Sequence, residues 1–155
     1  MSIWKHHPTL DELRVLHTDT AERVLGIEFV EIGEDFLAAR MPVDRRTMQP
    51  FRILHGGASA LLAESVGSCA ANLCVDQRLS YGVGLDINAN HVRGARGGWV
   101  TGTARPLHIG SSTHVWEIRI TDEDDRLVCI SRLTMSVRQR DARLGEVPAT
   151  PVGKA

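Results

Sequence analysis

Positions 54–65 read LHGGASALLAES, and the fold turns on them. From Gly57 to about Leu73 the apolar residues recur at helical spacing. Leu61, Leu62, Val66, Cys69 and Leu73 make one broad face. Ala58, Ala60, Ala63, Gly67, Ala70 and Ala71 are small and let other backbone come close. The segment is apolar nearly all round, so a buried helix is expected. A second stripe at i, i+4 spacing holds Ala60, Glu64, Ser68 and Asn72, and thus one carboxylate. Buried carboxylates are uncommon unless paired or functional, and neither Ser68 nor Asn72 can neutralise Glu64. The plainer alternative is a Glu64 that reaches solvent at a helix edge.

The helix opens on His55-Gly56-Gly57. Bare N–H groups at a helix N-terminus attract negative charge, and glycine there lets a ligand approach the backbone. Gly56 and Gly57 can therefore serve an oxygen that gains charge during a reaction. For the glycines alone, a tight loop-to-helix turn is the simpler explanation. Glu64 lies eight residues beyond Gly56, which is about 12 Å along a helix axis. One reacting carbonyl cannot touch both within a chain. If both act on one atom, two antiparallel helices must share the site across a two-fold dimer interface.

Outward from this helix the pattern is mostly β. Residues 26–33 and 35–43 read as two strands joined by a Gly-Glu-Asp turn, and 44–54 as a loop marked by Pro50. Residues 81–92, 98–109, 112–122 and 126–138 read as four more strands. Trp116, Ile118 and Ile120 fall on one face, opposite Glu117 and Arg119; Leu127, Cys129, Leu133 and Met135 share another. Before the first strand, Thr9 and Glu12 have the spacing of a capping box, and a second short helix stops at Gly26. Two strands, one long helix and four strands predict an α+β fold, an antiparallel sheet wrapped around one central helix. A single domain over 1–137 is expected, with a helical segment at 1–25 and a flexible tail at 138–155.

The 155 residues carry 18 Lys+Arg against 19 Asp+Glu, which gives no electrostatic basis for nucleic acid as a partner. Three cysteines without a CxxC pair suggest reduced thiols, and no apolar run is long enough for a membrane span. The first residues, MSIWKHHPTL, lack a signal-peptide core, so a cytoplasmic protein without a membrane partner is expected. No metal site is expected, because His108 and His114 flank a turn without a third suitably spaced ligand. Ser65 and Ser68 do not sit in GxSxG. Arg93 and Arg96 bracket a strand end where phosphates could sit, and IGSS at 109–112 offers N–H groups and hydroxyls to a phosphate or amide.

PFRILHGGASALLAESVGS, followed by GLDINANHVRGAR and RPLHIGSSTHVWEIRI, resembles the hotdog-fold acyl-CoA thioesterases. The similarity is greatest to the bacterial branch with the 1,4-dihydroxy-2-naphthoyl-CoA and phenylacetate-pathway enzymes. It runs from about Trp4 to Val137. The resemblance implies hydrolysis of aryl- or acyl-CoA thioesters without cofactor, in a homodimer or a homotetramer of hotdog dimers. It also implies the site. Glu64 matches the glutamate that acts as nucleophile or general base, and Gly56 the backbone oxyanion donor, with His55 beside it. Gln49 matches the glutamine at the thioester, and Ser68 the serine that helps hold water or the carboxylate. Coenzyme A contacts fall on Gly84, on His91, Val92, Arg93 and Gly94, and on His108, Ile109, Gly110, Ser111, Ser112 and Thr113. Gly94 stands where the resemblance leads one to expect serine. Thioesterases that clear misloaded carrier proteins share the pattern, as would a non-catalytic acyl-CoA binder. The His-Phe-Pro signature of hotdog dehydratases does not occur.

Overall fold

A computed structural model describes residues 2–140. Two short helices come first, α1 (Leu10–Leu16) and α2 (Ala21–Leu25). The start of α1 is closed reciprocally: the Thr9 N–H donates to the Glu12 carboxylate at 2.7 Å, and the Glu12 N–H donates to Thr9 Oγ1 at 3.2 Å. Gly26 ends α2 in the left-handed region at φ 74°, which a residue without Cβ adopts freely. Strands β1 (Glu28–Ile32) and β2 (Leu37–Pro42) precede the long helix α3 (Gly56–Leu73). After it come β3 (Ser80–His91), β4 (Trp99–Ile109), β5 (Thr113–Asp122) and β6 (Leu127–Gln139).

The six strands form one antiparallel sheet in the order β1-β2-β4-β5-β6-β3. Period-2 alternation puts Trp116, Ile118 and Ile120 of β5 and Cys129, Leu133 and Met135 of β6 on the inner face, all fully buried. Leu127 departs from the expected face. The β5–β6 register shifts between Ile120 and Thr121, so Val128 is buried while Leu127 is only half-buried. α3 lies across this inner face, and Leu62, Ala63, Val66, Ala70 and Ala71 have no exposed surface. Burial of each Leu or Val side chain contributes about 1.5–3 kcal/mol.

The helix is not buried all round. Gly57 is exposed, and Ala60, Leu61, Glu64, Ser68, Cys69 and Asn72 stay half-buried along the side away from the β5–β6 core. That side carries the carboxylate of Glu64. The other open element is β3. It is paired only with β6, and Tyr81, Val83 and Leu85 are 36%, 39% and 60% exposed along this sheet edge. β6 continues through Gln139, and the Arg140 N–H bonds the Leu79 carbonyl at 2.8 Å. Of the expected tail, residues 141–155 lie outside the described residues.

Candidate active site

The start of α3 accounts for its N–H groups one by one. The His55 carbonyl accepts from Ala58 and Ser59, at 3.0 and 3.1 Å. The His55 ring accepts through Nδ1 from the Gly57 N–H at 2.8 Å, so a neutral ring carries its proton on Nε2. Gly56 N–H is left: among the described residues it has no acceptor. His55 is thus the helix cap, and it does not line the cavity in front of Gly56.

That cavity, of about 300 Å³, is lined by Gln49, Gly56, Ser59, His91, Arg93 and Gly94, with Val92 beside them. A tight turn presents Gln49: its N–H bonds the Ile53 carbonyl at 2.9 Å, its carbonyl accepts from Arg52 at 2.9 Å, and Met48 pairs with Leu54 behind it. The His91 ring packs directly on the Gly56 backbone, so that a Cβ there would lie 2.9 Å from His91 Nε2. The bare Gly56 N–H and the His91 imidazole thus meet where an anionic or carbonyl oxygen could sit, in a cavity that Gln49 and Arg93 also line.

Glu64 and Ser68 are elsewhere. They line a groove of about 350 Å³ between α3 and the two N-terminal helices. Glu64 Oε1 accepts from Ser68 Oγ at 3.4 Å, and the carboxylate lies against the backbone of Gly84 on β3, where a Cβ would collide with it. The β3–β6 register shifts between Gly84 and Asp86, and bulges of this kind often re-aim chain beside active sites. Asn72 holds the same strand one step away. Its Oδ1 accepts from the Gly82 N–H at 2.9 Å, and its Nδ2 donates to the Gly82 carbonyl at 3.1 Å. Burial raises the Glu64 carboxyl above its ordinary range, and the Ser68 hydrogen bond offsets this in part. A carboxylate so raised is a stronger base.

The turn from His108 to Thr113 joins β4 to β5 and closes with a Gly110 N–H to Thr113 carbonyl bond of 2.9 Å. Across the strands, Ile109, His114, Met135 and Gly84 stand in one register row. Ile109, Gly110, Ser111, Ser112 and Thr113 therefore lie at the Gly84 end of the sheet, not at the His91 end. One chain divides the expected site residues into two groups. Gln49, Gly56 and His91 to Gly94 form the first; Glu64, Ser68, Gly84 and the 108–113 turn form the second.

Sequence reasoning missed two contributors. Asn72 was visible only as a polar member of the Glu64 stripe, without its grip on Gly82. Glu22 gave no signal at all: it lies in α2, 43 residues from Ser65, yet accepts from Ser65 Oγ at 2.9 Å inside the same groove. Burial pushes the Cys69 and Cys74 thiols up to about 12 and raises that of Cys129, which disfavours the thiolate form. Among the described residues no group of three or more His, Cys, Asp or Glu could hold a metal ion, and no helix is long and apolar enough to cross a membrane.

Comparison with known proteins fits this geometry. Residues 51–129 match the thioesterase superfamily. The chain is 53% identical over 135 residues to 1,4-dihydroxy-2-naphthoyl-CoA hydrolase of Escherichia coli, covering 87% of this chain and 98% of that one. It is 47% identical over 135 residues to the proofreading thioesterase EntH of Cronobacter turicensis, with coverage of 87% and 98%. A thioesterase of Pseudomonas aeruginosa, solved as a glutamine-to-alanine variant, superposes with a TM-score of 0.88 at 49% identity, covering 90% of this chain and all of that one. Matching sequence over most of its length and matching fold place the chain in one family: it belongs to the thioesterase superfamily, as a hotdog-fold thioester hydrolase.

Proposed function

We propose that the protein hydrolyses aryl- or acyl-CoA thioesters at a site shared by two copies of the chain. Glu64 comes from one copy; Gly56 and Gln49 come from the partner subunit. The observation that carries this reading is the division of the site along α3. The bare Gly56 N–H and the raised Glu64 carboxyl open into different cavities, about 12 Å apart along the axis. A two-fold copy with antiparallel α3 helices would bring each Glu64 to the other's Gly56. The unpaired β3 edge, with Val83 and Leu85 exposed, is the surface on which such a copy can pair.

The chemistry then follows from the groups present. The Glu64 carboxylate either takes a proton from water as the water oxygen attacks the thioester carbon, or attacks that carbon itself to give an anhydride that water opens. In both routes the carbonyl electrons move to oxygen, and the Gly56 N–H of the partner subunit receives the oxyanion. Collapse of the tetrahedral intermediate expels the coenzyme A thiolate. In this reading Arg93 serves the phosphates and Gln49 the thioester.

The 1,4-dihydroxy-2-naphthoyl-CoA hydrolase among the relatives supports an aryl-CoA ester as the substrate, and acylated carrier protein is the alternative. A thiol-release screen across aryl-CoA, medium-chain acyl-CoA and acylated carrier protein, run beside light scattering, tests the reading. It predicts thiol release by an assembly above monomer mass. A monomer that hydrolyses thioesters at full rate would contradict the shared site.

A further inference from the structure

The groove beside Glu64 contains a second carboxylate that the hydrolysis does not use. Two neighbouring stripes of α3 make its floor: Glu64 and Ser68 on one, Ser65 and Cys69 on the other. Leu13 and Leu16 of α1 give it an apolar wall. Glu22 closes a different flank from Glu64, because consecutive residues 64 and 65 point about 100° apart around a helix. Ser65, itself 8% exposed, donates to Glu22 Oε1 at 2.9 Å. His17 stands beside Glu22 and has its own Nδ1 committed to the Leu13 carbonyl at 2.8 Å. Burial raises the Glu22 carboxyl, but the nearby Thr20 hydroxyl, its own N–H, the Ser65 hydroxyl and His17 outweigh that and leave it below the usual range. One groove therefore has two carboxyls pushed in opposite directions, Glu64 up and Glu22 down.

An ionised carboxylate only accepts hydrogen bonds, so the ligand group it suits is a donor. Next to His17 a neutral hydroxyl fits better than a cation. We propose that Glu22 is a specificity-determining residue, accepting a hydrogen bond from a ring hydroxyl of an aryl thioester whose carbonyl carbon lies at Glu64. The proposal rests on the thioesterase reading above. Leu13, Leu16 and Cys69 take the carbon body of the ring. An unsubstituted ring displaces water from Glu22 without offering a donor, so the carboxylate keeps only its bonds from the protein and the hydroxylated ring is preferred. The competing role is a latch that merely ties α2 to α3 through Ser65.

Two variants separate these roles. Glu22→Gln keeps an oxygen for Ser65 and loses the charge; Ser65→Ala breaks the latch and keeps the carboxylate. Hydrolysis is measured with benzoyl-CoA, its three monohydroxy isomers and octanoyl-CoA. The expected result is a wild-type preference for at least one hydroxy isomer over benzoyl-CoA by about tenfold in kcat/KM, as a charge-assisted hydrogen bond provides. Glu22→Gln should remove that preference, mainly through KM, and leave benzoyl-CoA within about twofold. Ser65→Ala should retain it. Equal loss on all aryl esters in Glu22→Gln, loss of the preference in Ser65→Ala alone, or no preference in the wild type would overturn the role of Glu22 while leaving thioester hydrolysis standing. Cleavage of octanoyl-CoA but of none of the aryl esters would do the same. Cleavage of none of the five would overturn both.

Discussion

The first turn of α3 and its middle do opposite things. At the Gly56 end the helix bares a backbone donor, and the side chains gathered around it are neutral or cationic: Gln49, His91 and Arg93. Eight residues on, the helix carries an acid, held between Ser68 and the bulged stretch of β3 around Gly84. A helix dipole already favours negative charge at its start. In the proposed reaction that favourable end receives an oxygen that becomes charged, and the carboxylate lies far enough away not to compete for it. The contrast is the reason the proposed reaction needs two copies of the chain, and it can be broken at either position.

The largest effect is expected at the acidic end. Glu64→Gln keeps the shape but removes the basic oxygen, and kcat should fall at least about a hundredfold. Stability should move the other way. Burial raises the folded-state pKa of Glu64, so the unfolded chain gives up its proton first as pH rises. The contribution of Glu64 to stability is thus full below its unfolded pKa and is lost as pH passes the raised folded value. Glu64→Gln should therefore match or exceed the wild-type Tm near neutral pH and lose that advantage in mild acid. A Tm well below wild type at neutral pH, in thermal unfolding, would mark Glu64 as a structural carboxylate.

Gly84→Ala should come next. The new methyl collides with Glu64 Oε1 on a strand that otherwise tolerates alanine, so the carboxylate must move. A displacement of about 1 Å can cost up to a hundredfold, and kcat should drop about ten- to a hundredfold with the fold intact by circular dichroism. An unchanged kcat would mean that the position of the carboxylate is not critical.

The cationic end should respond more mildly. Arg93→Ala should raise KM for acyl-CoA about five- to tenfold with little change in kcat, the pattern of a contact present equally in ground and transition states. A short N-acetylcysteamine thioester lacks the nucleotide and should be unaffected. Equal effects on both substrates would show that Arg93 acts at the thioester instead.

Much of this architecture was legible in the sequence, for identifiable reasons. Helix α3 announces itself through apolar residues at helical spacing and β5 and β6 through alternation, and Thr9, Glu12 and Gly26 mark the N-terminal helices by their capping chemistry. The shift at Val128 was not legible, because a bulge inserts one residue without changing composition. Nor was the half-open side of α3, since small and apolar residues occupy both its covered and its open stripes. Within the site, Gly56 and Glu64 stood out because a glycine pair at a helix start and a carboxylate among alanines are both locally costly. His55 stood out as part of the same motif, but its cap to Gly57 depends on a ring orientation that no spacing encodes. Glu22 was hidden because its partner Ser65 is remote in the chain, and an acidic residue near a short helix start looks like ordinary capping.

The central claim is that each site takes Glu64 from one chain and the Gly56–Gln49 side from another. Its most direct test pairs two defective chains. Glu64→Gln and Gln49→Ala chains, co-expressed with different affinity tags, yield mixed assemblies by sequential purification. A mixed dimer then holds one site with Glu64 and Gln49 both present and one site with neither. If the site is shared, the mixed dimer should recover about half of the wild-type kcat, although each parent alone is slow. If the mixed assembly only averages the rates of its two parents, the site lies within one chain and the account is wrong.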